Sequence, residues 1–154
     1  MTDTIAARLA KLGHALPAAS SPAANYVPVT RIGALAFISG QVSAGIVGRL
    51  GDDLSVEQGQ AAAAAAALAL LARIDQLVEG DGSRVKRVAR LGIFVVATPE
   101  FTQHPLVGNG ASDLIVAVLG DAGRHARTTV GVASLPRGAA VEVDAIVELV
   151  EAGS

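Results

Sequence analysis

The chain has 154 residues, 51% of them hydrophobic, 17% charged and 3% aromatic, with a formal net charge of −2, which suits one domain with a core of Ala, Val, Leu and Ile. It has no cysteine, which excludes disulfides, thiol nucleophiles and thiolate metal sites, and no basic run that would give nucleic acid an electrostatic footprint. So charge-poor a surface favours burial in an oligomer, and the opening MTDTIAARLAKLG is short, amphipathic and charged rather than signal-like, so a cytoplasmic location is expected.

Thr2, Asp3 or Thr4 can cap a first short helix through Ile5, Leu9 and Leu12, ended by Gly13; helix and connection, residues 1–20, are expected at the periphery. Tyr26-Val27-Pro28-Val29 and Arg31-Ile32-Gly33 then signal a hairpin whose second strand runs from Ala34 to Ser39. Gly40 to Asp53 is glycine-rich and reads as a loop with one short strand near Ile46 to Arg49. Ser55 and Gln58 form an S-x-x-Q capping box, so the longest helix starts there, runs to Val78 and stops at Gly80. Its alanine run, Ala61 to Ala67, propagates a helix and permits close backbone approach, while Leu70, Leu71, Ile74, Leu77 and Val78 widen the apolar stripe. Arg73, Asp75 and Gln76 punctuate the second half, and the length falls short of a membrane span.

Arg84 to Ala97 reads as a long strand finishing in Ile93-Phe94-Val95-Val96 and broken by Pro99. A second helix covers Pro105 to Leu119, with proline suited to its first turn and Gly120 to its end. The closing segment reads as a hairpin: a small, β-branched arm from Thr128, turn residues Leu135-Pro136-Arg137-Gly138, and an alternating arm from Val141 to Val150. This order of elements predicts a single α+β domain over 1–154, a mixed sheet with two main helices packed on one face.

On the last arm Val141, Val143, Ala145, Val147 and Leu149 share one face, and Glu142, Asp144, Ile146, Glu148 and Val150 the other. Arg127 begins the first arm among Thr129, Gly131 and Ala133, which are too small to hide a guanidinium, so it needs a carboxylate or phosphate partner. Glu142 belongs to a face that is ordinarily solvated. Ser39, at a strand end, and Asn109, between two glycines, are either turn and helix irregularities or polar groups aimed at a ligand. His14, His104 and His125 show no ligand spacing, so no metal is expected. Gly45, Gly48 and Gly51 lack the Lys-Ser/Thr and the strand-to-helix turn of a phosphate loop.

Tyr26, Phe37-Ile38-Ser39-Gly40-Gln41, the Phe101 to Asn109 region, Ala126-Arg127-Thr128, Leu135-Pro136 and Val141-Glu142-Val143-Asp144-Ala145 together resemble the reactive-intermediate deaminase (RidA/YjgF) family, over nearly everything from Tyr26 to Val150. The resemblance implies a chorismate-mutase-like α+β fold assembled as a homotrimer with clefts between subunits, and no cofactor. It implies that Arg127 grips the carboxylate of a 2-imino or enamine acid, that Glu142 orients or activates the attacking water, and that Tyr26, Ser39 and Asn109 line the same cleft; a 2-keto acid and ammonia result. Departures from the family pattern are His125, where proline is common, Thr129, where some members have cysteine, the N-terminal helix, and extra residues between Phe101 and Asn109. Two other activities compete with deamination: capture of small carboxylates without turnover, and ribonuclease activity, ranked last because the chain is acidic and lacks paired histidines.

Overall fold

The computed structural model describes residues 3–22, 24–151 and 153. Thr4 opens α1 (Ile5–Lys11), its hydroxyl accepting from the Ala7 N–H at 3.0 Å; Thr2 lies outside the described residues. Ile5 and Leu9 are fully buried and join the main core, so the helix expected at the periphery is docked into it.

β1 (Val29–Ile32) and β2 (Leu35–Val42) pair antiparallel around a turn in which Gly33 takes φ +58°. β2 outlasts β1 because β5 (Val141–Leu149) supplies partners as far as Val42, with the register shifting between Ile38 and Gln41. Ser39 and Gly40 therefore sit in a bulge inside a strand, not at a strand end. The short strand expected near Ile46 to Arg49 is reduced to isolated bridges, Val47 with Ala139 and Leu50 with Ala97.

The capping box starts α2 (Val56–Val78) as the sequence predicts: Ser55 Oγ accepts from the Gln58 N–H at 3.2 Å and Gln58 Oε1 from the Ser55 N–H at 2.8 Å. Two left-handed residues end the helix, Glu79 at φ +54° and then Gly80 at φ +82°, so the stop is not glycine's alone. Ala62, Ala63, Ala66 and Ala67 are fully buried. α2 packs against α3 (His104–Leu119), and their backbones approach closely at Gly110, where an added Cβ would overlap the Gln60 carbonyl. By length and composition α2 could cross a membrane, yet 56% of that stretch is buried within the molecule.

β3 (Val85–Val96) and β4 (Ala126–Val132) complete a five-stranded sheet of order β1-β2-β5-β3-β4. The closing hairpin expected from the sequence does not form. β4 pairs parallel with one edge of β3 and β5 antiparallel with the other. The reason is α3, a helical crossover that returns the chain parallel to β3 and leaves the second edge of β3 for β5. The eight residues 133–140 cross the end of β3, where the Ala97 N–H donates to Val132 O and the Val96 N–H to Ala140 O. Both main helices cover one face of this mixed sheet, so the α+β class holds.

Candidate functional site

Cross-strand neighbours share a face, which places the two chemically interesting side chains. Leu91 is flanked by Arg127 on β4 and Ala145 on β5, whereas Phe94 is flanked by Glu142. Leu91 and Ala145 are buried in the core beneath the helices. Arg127 therefore points to the helix side and Glu142 to the uncovered side. Within one chain the expected arginine–carboxylate pair is split across the sheet.

On the helix side, Arg127 is held against α3. Its Nη1 donates to Asn109 Oδ1 and to Ser112 Oγ, both at 3.0 Å, and its Nη2 to the Pro105 carbonyl at 3.1 Å. Three of five guanidinium N–H groups are thereby used. One on Nε and one on Nη2 remain, the number a bidentate carboxylate requires. No Asp or Glu among the described residues lies within 4.0 Å of this guanidinium. The close approach depends on Gly108, whose added Cβ would come within 3.2 Å of Arg127 Cζ and 2.9 Å of Thr129 Oγ1; that buried hydroxyl has no hydrogen-bond partner.

Ser112 was not singled out in the sequence, although it stands one helical turn after Asn109, the spacing that puts two side chains on one face. It also connects Arg127 to His125. His125 Nδ1 lies 2.6 Å from the Gly123 carbonyl, which only accepts, so Nδ1 carries the hydrogen; in the neutral ring Nε2 then accepts from Ser112 Oγ at 2.9 Å. The Ser112 oxygen is left to receive Arg127. His125 thus buttresses the guanidinium through Ser112.

On the uncovered side, Glu142 lies against the β2 bulge, where an added Cβ on Gly40 would collide with its carboxylate. Gly40 is thus the residue that makes room for Glu142. Partial burial, and secondarily the nearby Asp144, push the Glu142 carboxyl above the usual glutamate range. A pocket of about 90 Å³ beside it is lined by Tyr26, Gly40, Gln41, Arg73 and Arg137 among others. Ser39 faces a neighbouring groove with Phe37, Arg90 and Asp144, its hydroxyl donating to the Val27 carbonyl at 3.0 Å. Of the five residues that the resemblance implies, Asn109 joins Arg127, Tyr26 joins Glu142, and Ser39 lies next to the Glu142 group. Among the described residues no cluster of three or more His, Asp or Glu has a metal-holding arrangement.

Residues 6–149 match the model of a family described as "YjgF/chorismate mutase-like, putative endoribonuclease". The chain is 52% identical over 151 residues to Protein TCP17 of Trypanosoma cruzi, covering 94% of each sequence. Among solved structures it resembles the protein Atu1372 of Agrobacterium tumefaciens, of unknown function, at 46% identity and TM-score 0.89, covering 96% of this chain and 94% of that one. A protein of Shewanella oneidensis MR-1 named "a putative endoribonuclease" superposes with TM-score 0.90 at 31% identity, covering 95% of this chain and 99% of that one.

Proposed function

Because this chain belongs to the RidA/YjgF, chorismate-mutase-like family, we propose that it hydrolyses reactive 2-imino acids, and enamines that tautomerise to them, to 2-keto acids and ammonia in clefts between the subunits of a homotrimer. Arg127 of one subunit grips the substrate carboxylate through its Nε and Nη2 hydrogens, a planar two-point contact that a lysine could not make. Glu142 of the neighbouring subunit takes a proton from water as the oxygen attacks the C=N carbon. That proton passes to the imine nitrogen to give a carbinolamine; the carbinolamine hydroxyl proton then also passes, through Glu142, to nitrogen as the C–N bond breaks, so that ammonia leaves and a carbonyl remains. A carboxyl raised above the usual glutamate range is a stronger base at neutral pH. Holding the anion and aiming one water supply most of the catalysis, since imines hydrolyse readily.

The observation that carries this proposal is the division of the site. Arg127 has two donors free and no carboxylate partner among the described residues, and Glu142 sits with Tyr26 on the opposite face. Each half lacks what a second copy would bring. Assembly is further supported by the exposed apolar side chains of Leu35, Phe37 and Val130 on the sheet.

The test is to generate 2-aminoacrylate with a dehydratase and follow pyruvate release with and without the protein, with an RNA arm alongside. Accelerated pyruvate release that Arg127→Ala abolishes, with RNA left intact, is the expected result. No acceleration by the intact protein, or equal acceleration by the variant, would overturn the proposal.

A further inference from the structure

Arg73 is a buried cation for which the proposed reaction has no use. It lies on the second half of α2 and is only 6% exposed. Its contacts are thin for a guanidinium withdrawn from water: Nη1 to Gln76 Oε1 at 3.3 Å and Nη2 to Ser20 Oγ at 3.5 Å, with a buried Nε that has no partner. No carboxylate among the described residues comes within 4.0 Å of it. Burying a charge is costly unless it is paired and hydrogen-bonded; here the ion pair is missing among the described residues and the hydrogen bonding is long and incomplete.

The side chain is not sealed in the core. It lines the pocket it shares with Ser20, Tyr26, Gln41, Arg137 and Glu142. The volume of about 90 Å³ is room for about three waters at roughly 30 Å³ each, and so for a carboxylate. Arg137, on the rim, is a second cation without an ion pair among the described residues, held at φ +59°, which a non-glycine residue seldom adopts.

We propose that this pocket is a carboxylate subsite in which Arg73 supplies the buried guanidinium, so that the preferred substrates are acidic 2-imino acids carrying a second carboxylate on the side chain. This rests on the deaminase proposal. The α-carboxylate goes to Arg127 of one subunit, the C=N carbon meets water at Glu142 of the next, and the side chain continues into the Glu142 pocket to Arg73. Two carboxylates then meet two guanidinium groups, and Arg73 acquires the partner its burial calls for.

The full-length protein is titrated calorimetrically with glutarate and with butyrate, and kcat/KM is compared for 2-iminoglutarate and 2-iminobutyrate. The expected result is glutarate binding tighter by roughly tenfold or more, with a similar preference in kcat/KM, both collapsing toward one in Arg73→Gln and partly restored in Arg73→Lys. Ser20→Asp guards against misfolding of the Arg73 variants. It places a carboxylate beside Arg73, so it is expected to raise Tm while abolishing glutarate binding. If glutarate binds no tighter than butyrate, or if Arg73→Gln and Ser20→Asp leave the preference intact, the subsite is refuted, and 2-iminobutyrate turnover that depends on Arg127 would show that the deaminase proposal still stands. Arg73-dependent glutarate binding with no imine turnover would support the subsite and refute the reaction.

Discussion

β4 and β5 flank the same strand, yet they hold their candidate site side chains by opposite means. On β4, at the sheet edge, Arg127 is clamped by Asn109, Ser112 and a backbone carbonyl of α3. On β5, in the sheet interior, Glu142 is given space by the Gly40 bulge. The first arrangement fixes a cation's direction. The second leaves a carboxylate beside an open pocket, with partial burial raising its proton affinity. An anion grip needs rigid donors, whereas a base needs access to water and a suitable pKa.

The sharpest way to break this contrast is to remove each half. Arg127→Ala is expected to lower kcat/KM for a 2-imino acid by on the order of 10³-fold, the loss of a two-point ionic contact. Glu142→Gln is expected to act on kcat by on the order of 10²-fold, within the usual range for a general base. Steady-state kinetics separate the two.

Two glycines test the difference between space and scaffold. Gly40→Ala pushes against the flexible end of Glu142, so activity should fall by about 10²-fold through misplacement while stability changes by about 1 kcal/mol or less. Gly110→Ala meets the Gln60 backbone between the two helices and should cost about 3 kcal/mol of stability. Urea denaturation beside kinetics reads both, and equal effects on stability would contradict the assignment.

Ser112→Ala probes the clamp more gently. It removes one of three guanidinium contacts and the link to His125, so KM should rise about fivefold, the equivalent of about 1 kcal/mol for one hydrogen bond, with kcat changing less. The smallest effect is on stability. The Glu142 carboxyl lies above its usual range in the fold, so the protonated form is the one folding favours. Its contribution is therefore fully present at pH below the ordinary glutamate range and lost as pH rises through the raised value. Glu142→Gln should accordingly raise Tm at neutral pH, by an amount that vanishes on acidification.

Local signals in the sequence are decisive where local chemistry decides the outcome. The Ser55–Gln58 box starts α2, and the strict alternation from Val141 onward correctly divides buried from outward residues. The closing hairpin failed because a turn at Pro136–Gly138 does not say which strand edge the chain will find, and α3 had already delivered β4 to one side of β3. The candidate site is marked in the sequence by residue type and not by grouping. Residue type marks Arg127 and Glu142, but period-two alternation on two strands does not reveal their relative faces until the register through Leu91 and Phe94 is known. Gly40 and Arg73 escaped for a related reason, since a bulge and a buried cation are defined by neighbours far along the chain.

The central claim is that Arg127 and Glu142 work together only from different subunits, and mixed oligomers test it most directly. Arg127→Ala and Glu142→Gln chains, each inactive alone, are co-expressed with different tags and the mixed assemblies purified through both. Every trimer that carries both tags is a 2:1 mixture in which one of the three neighbour pairs sets an intact arginine against an intact glutamate, so if neighbours complete each cleft about a third of wild-type activity is restored. Mixed assemblies no more active than their parents would contradict the claim.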